Sequence, residues 1–230
     1  MQKLLLKSKS AKLLAVRRVT QINKGRKTAG VDGVKSLNKK ERIELANRLS
    51  ISSVCKPLRR VWSPKPGKSE NRPLGIPTLE DRAKQALVKL VLEPEWEAKF
   101  EPNSYGFRPG RSCQDAAQAI YAAVSKKNVY VLDADIKGCF DNINHMALLK
   151  KINTFSSLRR TIKMWLKSGI MEGKKLLPTK MGTPQGGVIS PLLANIALHG
   201  LEYDTKQELE KELLRYLKET KGYSSKKLHK

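Results

Sequence analysis

Cysteine, histidine and long apolar runs are all scarce in this chain. Its three cysteines, Cys55, Cys113 and Cys139, are scattered and form no Cys-x-x-Cys pair. That pattern excludes a disulfide framework and a structural zinc site, and it fits a reducing compartment. The three histidines stand apart, without metal-ligand spacing. No apolar run approaches the ~20 residues of a spanning helix, and Leu4-Leu5-Leu6 is far too short for a secretory signal. The expectation is a soluble chain, cytoplasmic or in an organellar stroma or matrix, with no membrane partner. Acid is scarce as well: 21 Asp and Glu stand against 46 Lys and Arg.

The resulting formal charge is +25 with a pI near 10.1. Solubility needs far less, so the excess points to a polyanionic partner. It is also uneven. Residues 1–72 hold 20 Lys/Arg against 4 Asp/Glu, whereas residues 73–205 hold 18 against 13. A basic front on a near-balanced middle reads as a nucleic-acid grip attached to a site-bearing core, although a basic ribosomal-type protein has the same lopsidedness. With 40% apolar residues over 230 positions, one large domain or two small ones can be packed.

Along the chain, residues 1–24 read as a basic helix and 38–50 as a short charged one. Gly25–Gly33 is a basic, glycine-rich loop that lacks Walker spacing. Arg59–Pro64 and Asn71–Ile76 read as a hairpin about Pro66-Gly67. Thr78-x-x-Asp81 is a capping box opening a helix to about Val91, which Pro94 is expected to interrupt or end. Ser112-x-x-Asp115 opens a second, Ala-rich helix to about Ser125. Helices are expected at 143–151, 156–168, 190–199 and 205–219, the last carrying repulsive i,i+4 pairs. A strand pair or an extended arm is expected at Met171–Thr179.

The chemistry concentrates at Val129-Tyr-Val-Leu-Asp-Ala-Asp-Ile-Lys-Gly-Cys-Phe-Asp141. The apolar, β-branched start reads as a short buried strand. It ends in Asp133 and Asp135, with Asp141 following. An unpaired buried carboxylate costs several kcal/mol, so a strand that ends in acid favours a bound cation at a sheet edge. Lys65 and Arg72 bracket the hairpin turn, where two cations suit a triphosphate. The loop Gly182–Pro191 offers backbone N–H groups and the Gln185 amide.

Four stretches carry a resemblance: Arg72-Pro-Leu-Gly-Ile-Pro-Thr78, Ser104-Tyr-Gly-Phe-Arg-Pro-Gly-Arg-Ser112, Asp133-Ala-Asp-Ile-Lys-Gly-Cys-Phe-Asp-Asn142 and Gly182-Thr-Pro-Gln-Gly-Gly-Val-Ile-Ser-Pro-Leu-Leu-Ala-Asn195. In this order they resemble group II intron reverse transcriptase/maturases, collinearly from about Ala15 to Leu201. The resemblance implies an α+β right-hand polymerase portion that acts as an RNA-directed DNA polymerase. It divides the chain into a basic N-terminal extension (1–50), fingers (51–128), a partial palm (129–204) and a charged helix with a basic tail (205–230).

The same resemblance implies Asp135 as the first catalytic acid and metal ligand, with the Ile136 carbonyl as a second Mg²⁺ contact. Lys65, Arg72, Phe140 and Gln185 would contact the dNTP, with Phe140 as a gate against the 2′-hydroxyl. Arg26, Lys27, Arg59, Arg60, Arg108 and Arg111 would meet nucleic acid, and Arg108 could equally hold its own loop by bonding carbonyls. The implied partners are structured intron RNA, an RNA template and a DNA primer. The family's Tyr/Phe-Ala-Asp-Asp strand is missing, and no Asp-Asp occurs among the 230 residues. The chain therefore reads as the front part of an enzyme, inactive by itself. The alternatives are a non-catalytic intron-RNA-binding splicing cofactor and a degenerate product with an exposed sheet edge.

Overall fold

The computed structural model describes residues 1–221 other than 52, 53, 65, 66, 68, 70, 127 and 130, and the backbone alone at 217, 218, 220 and 221. The basic front forms two helices where one is expected, α1 (Gln2–Lys7) and α2 (Lys9–Arg17). Ser8 takes an extended backbone and caps α2, accepting from the Ala11 N–H at 3.3 Å. A hydroxyl N-cap of this kind is what separates two helices in a run of good helix formers. A π turn (Arg18–Ile22) and a 3₁₀ turn (Lys24–Lys27) follow, then α3 (Lys39–Arg48), which opens on a full capping box between Asn38 and Glu41.

Strands β1 (Leu58–Pro64) and β2 (Asn71–Ile76) form the expected antiparallel hairpin, pairing Arg59 with Ile76 and Pro64 with Asn71. Of the two forms expected at 171–179 the strand pair is the one found, β3 (Ile170–Glu172) with β4 (Lys175–Leu177). It joins the first through a parallel β1–β3 contact at Leu58 and Ile170. The result is one mixed sheet in the order β2-β1-β3-β4.

Helix α4 (Leu79–Glu97) is the spine of the core. Thr78 accepts from the Asp81 N–H at 3.2 Å, and the Asp81 carboxylate binds the Thr78 hydroxyl at 2.8 Å and the Lys56 N–H at 3.3 Å. The helix packs against α1, α2, the π turn and α9 (Ser190–Leu198). It runs through Pro94, where the sequence predicts an interruption or an end. An interior proline costs about 3 kcal/mol. Leu92 and Trp96 on either side are buried, and burying each contributes about 1.5–3 kcal/mol, so packing outweighs the lost backbone bond. Beyond the sheet, α7 (His145–Ile152) and α8 (Ser156–Leu166) pack together, and α7 also meets α9.

One expectation is overturned outright. The described residues among 129–136 form no strand, and Val131 and Leu132 are 75% and 71% exposed. A strand acquires its backbone bonds only from a neighbour, and no described strand pairs with this segment. The Ala-rich helix before it, α5 (Cys113–Val124), has no buried residue. The chain then turns through α6 (Cys139–Asn142). Finally α10 (Leu201–Lys221) starts earlier than expected and is internally paired through Lys206–Glu202, Lys211–Glu208 and Arg215–Glu212, which offsets the repulsion read from its sequence.

Candidate functional site

The glycine-rich loop 182–188 is where the parts meet. Gly182 donates to the Ile143 carbonyl at 2.8 Å and Thr183 to the Phe140 carbonyl at 2.7 Å. The Gln185 carbonyl accepts from the Gly75 N–H of β2 at 2.7 Å, and the Val188 N–H donates to the Gln85 side chain of α4 at 2.9 Å. One loop thus locks the turn bearing Phe140 to the β1–β2 hairpin and to the spine. Gly182 sits at φ +84°, and a Cβ there would lie 2.7 Å from the carbonyl oxygens of Phe140 and Asp141. Only glycine allows that backbone and that approach together.

His145, first residue of α7, supports the same loop. Its buried Nε2–H donates to the Gly182 carbonyl at 2.7 Å; the carbonyl can only accept, which fixes the tautomer. In the sequence this histidine stands apart, without metal-ligand spacing, and nothing there marks its supporting role.

Between loop, hairpin and basic front lies a cleft of about 840 Å³. Arg72, Ile136, Phe140 and Gln185 all line it, so four sequence-predicted site residues converge from three separate stretches. Asp135 is exposed and immediately precedes Ile136. Lys65 lies outside the described residues. Arg18, Lys24, Arg82 and Lys89 add further cations to the wall, and among the described residues that line it none is acidic. Such a wall concentrates anions.

The added cations come from elements distant in sequence, and nothing in their local sequence marks them. Two are also structural. Buried Arg82 donates to the carbonyls of Gly25 and Thr28 at 2.8 and 2.6 Å, pinning the basic loop, and burial lowers its pKa. Lys89 pairs with Glu93 at 3.2 Å. Phe107 was also missed. It holds φ +60°, is 64% exposed, and meets the Phe140 ring edge-on at 6.2 Å between centroids. A left-handed phenylalanine is costly and marks a site, but no sequence pattern reveals it.

The candidate nucleic-acid arginines divide. Arg26 and Lys27 are exposed, with Arg26 held to the Gln21 carbonyl at 3.0 Å. Arg59 is half-buried and donates to the Ala29 carbonyl at 2.9 Å. Arg60 stacks 5.7 Å from the Trp62 ring. Arg108 is buried, ion-paired with Glu97 at 2.9 Å and bonded to the carbonyls of Glu101 and Ser104. Its donors are committed inside the protein, so it holds the loop and is not free to meet phosphate. Arg111 is tied to the carbonyls of Pro102 and Ser104 and packs over Tyr105.

Residues 63–226 match the reverse transcriptase (RNA-dependent DNA polymerase) family, and residues 1–49 match the N-terminal domain of reverse transcriptase. The chain belongs to the reverse transcriptase family. Among curated relatives, the group II intron-encoded protein LtrA of Lactococcus lactis subsp. cremoris is 44% identical over 149 residues, which are 64% of this chain and 25% of LtrA. Protein YkfC of Escherichia coli (strain K12) is 34% identical over 200 residues, 81% of this chain and 52% of that protein. Maturase-like protein 1 of Euglena gracilis is 31% identical over 217 residues. This reverse transcriptase chain thus spans about a quarter of LtrA and half of YkfC. A partial Cas6-RT-Cas1–Cas2 complex contains a chain with the same fold, at TM-score 0.54 and 23% identity over 90% of this chain and 35% of that one.

Reverse transcriptases generally use divalent metal ions. The described residues do not complete a site for them. Among the described residues no group of three or more His, Cys, Asp or Glu could hold a metal ion. The Ile136 carbonyl already accepts from the Cys139 N–H at 3.3 Å. No described helix is long and apolar enough to cross a membrane.

Proposed function

We propose that this chain forms the fingers and the nucleotide-facing part of the palm of an RNA-directed DNA polymerase of group II intron type. In this reading residues 1–50 are a basic extension, 51–128 the fingers, 129–204 a partial palm and 205–230 a charged helix and tail. The carrying observation is the convergence of Arg72, Ile136, Phe140 and Gln185 on one cleft whose described lining residues include cations and no acid. Arg72 meets the triphosphate, joined by Lys65 from the hairpin tip. The Phe107–Phe140 pair offers an apolar edge against the sugar, and Gln185 a directional amide beside the base. Template and primer follow the basic front. Asp135 contributes one carboxylate toward Mg²⁺, the hard cation that suits oxygen ligands.

A second reading has its own support. With no three-acid group among the described residues, this chain alone binds without turning over, as a splicing cofactor that grips intron RNA would. Titration with dATP in Mg²⁺ tests the first reading. Wild type is expected to bind, and Arg72→Gln to bind roughly tenfold more weakly, the scale of one lost charge-assisted contact. Equal affinity in both chains would overturn the nucleotide assignment. Primer extension by the purified chain above background would overturn the claim that it does not turn over alone.

A further inference from the structure

From Asn142 to Met171 the sequence holds six Lys/Arg and no Asp or Glu. The cleft does not use this stretch. Helix α8 within it is sharply two-sided. Leu158, Ile162, Trp165 and Leu166 are buried, while Arg159, Arg160 and Lys163 are exposed. Those three cations, with Thr154 and Ser156, line a groove of about 450 Å³ between α7 and α8, floored by Met146 and Leu149. None of the three has a carboxylate partner among the described residues, unlike the paired cations of α4 and α10. Like charges at i,i+4, here Arg159 with Lys163, destabilise a helix, and the molecule keeps them facing solvent uncompensated. Helix α1 adds to the same face: Gln2 accepts from the Thr154 hydroxyl at 2.7 Å, and the Lys3 ammonium lies 5.5 Å from the centre of the Phe155 ring.

We propose that this α7–α8 face binds the phosphate backbone of double-helical RNA, at a site separate from the nucleotide cleft. Arg and Lys spaced about 6 Å along a helix axis, next to two hydroxyls, match backbone and 2′-hydroxyl contacts across a wide, shallow groove. Single-strand binding relies on exposed aromatics on which bases stack. This face presents none, since Trp165 is buried and Phe155 half-buried beneath Lys3. The choice of RNA over DNA rests on the reverse transcriptase reading; the duplex backbone rests on the face itself.

The test is fluorescence anisotropy with the full chain and a ~16-base-pair RNA duplex, comparing wild type with Arg159→Gln/Arg160→Gln/Lys163→Gln across a salt series. The triple variant is expected to lose roughly tenfold or more in affinity at about 0.15 M salt, and its log–log salt slope should fall by about 2–3, one per lost phosphate contact. Removing self-repelling surface charge should leave thermal unfolding unchanged or raised, and dATP binding in the cleft should persist. Restoring charge with Arg159→Lys/Arg160→Lys alone should keep the wild-type slope. An unchanged affinity and slope in the triple variant would overturn the proposal. So would tighter binding of single-stranded RNA or of poly-glutamate than of the duplex. Equal affinity for a DNA duplex of the same length would overturn the RNA assignment. Failure of dATP binding in both chains, with duplex binding still sensitive to the triple change, would sink the nucleotide reading and leave this one standing.

Discussion

Helices α4 and α5 begin alike and end differently. Each opens on a hydroxyl N-cap that accepts from the N–H of an Asp three residues on, Thr78 with Asp81 and Ser112 with Asp115. Each is rich in good helix formers. Yet twelve of the nineteen residues of α4 are buried, and none of α5 is. Ile120 and Tyr121 of α5 are 64% and 72% exposed, and the apolar segment that follows is equally bare. Capping and propensity start a helix; they do not decide what covers it. An isolated helix of this length is marginal in water, so α5 rests on its capping box, while α4 rests on its neighbours.

The sharpest way to break that comparison is a matched pair of truncations. Leu87→Ala, at a fully buried site on the spine, should cost about 2–5 kcal/mol. Leu132→Ala, in the bare segment, should stay within about 0.5 kcal/mol. Urea unfolding of both chains gives the answer. A cost above about 1 kcal/mol at Leu132 would mean that 129–136 is covered in solution. Next in size is Gly182→Ala in the loop that ties the spine to Phe140. A left-handed alanine with its Cβ against two carbonyl oxygens should cost about 2–4 kcal/mol. Indifference to that change would show that the loop is not locked to the turn.

The same contrast explains what could be read before the fold was known. The hairpins, both caps and the order of helices follow local rules, and so does loop 182–188, whose glycines announce an unusual backbone. Arg72, Phe140 and Gln185 line one cleft; Arg72 comes from a hairpin and Gln185 from a glycine-rich loop that local pattern marks, whereas Phe140 sits on the short helix α6, which no local pattern announces. The strand at 129–135 fails because a β-pattern is only a request for a partner, and partners are not local. Pro94 does not end α4 because Leu92 and Trp96 are buried on either side of it. Arg108 turns inward because Glu97 and two carbonyls reach it across a loop, which spacing cannot show. The remaining cleft cations, Arg18, Lys24, Arg82 and Lys89, lie on elements that come together only in three dimensions.

The smallest effect separates the two regions chemically. Cys55 lies beside the spine, with its thiol donating to the Met164 carbonyl at 3.3 Å. Desolvation by burial, helped by the negative charge of Asp81, pushes its pKa up to about 11. The thiolate is the reactive form, so Cys55 stays protonated and slow until the pH nears that value. Cys113 opens α5 and is exposed. Iodoacetamide at pH 8 should therefore modify Cys113 first and leave Cys55 largely intact, and peptide mass mapping should show Cys55 labelling rise only above about pH 10. The sign for stability follows: a raised thiol pKa favours the protonated folded form, so this contribution is intact below the unfolded value near 9 and fades as pH climbs toward 11. Equal labelling of the two at pH 8 would mean that the Cys55 pocket opens as freely as α5, and that the spine is no better protected than the helix it is compared with.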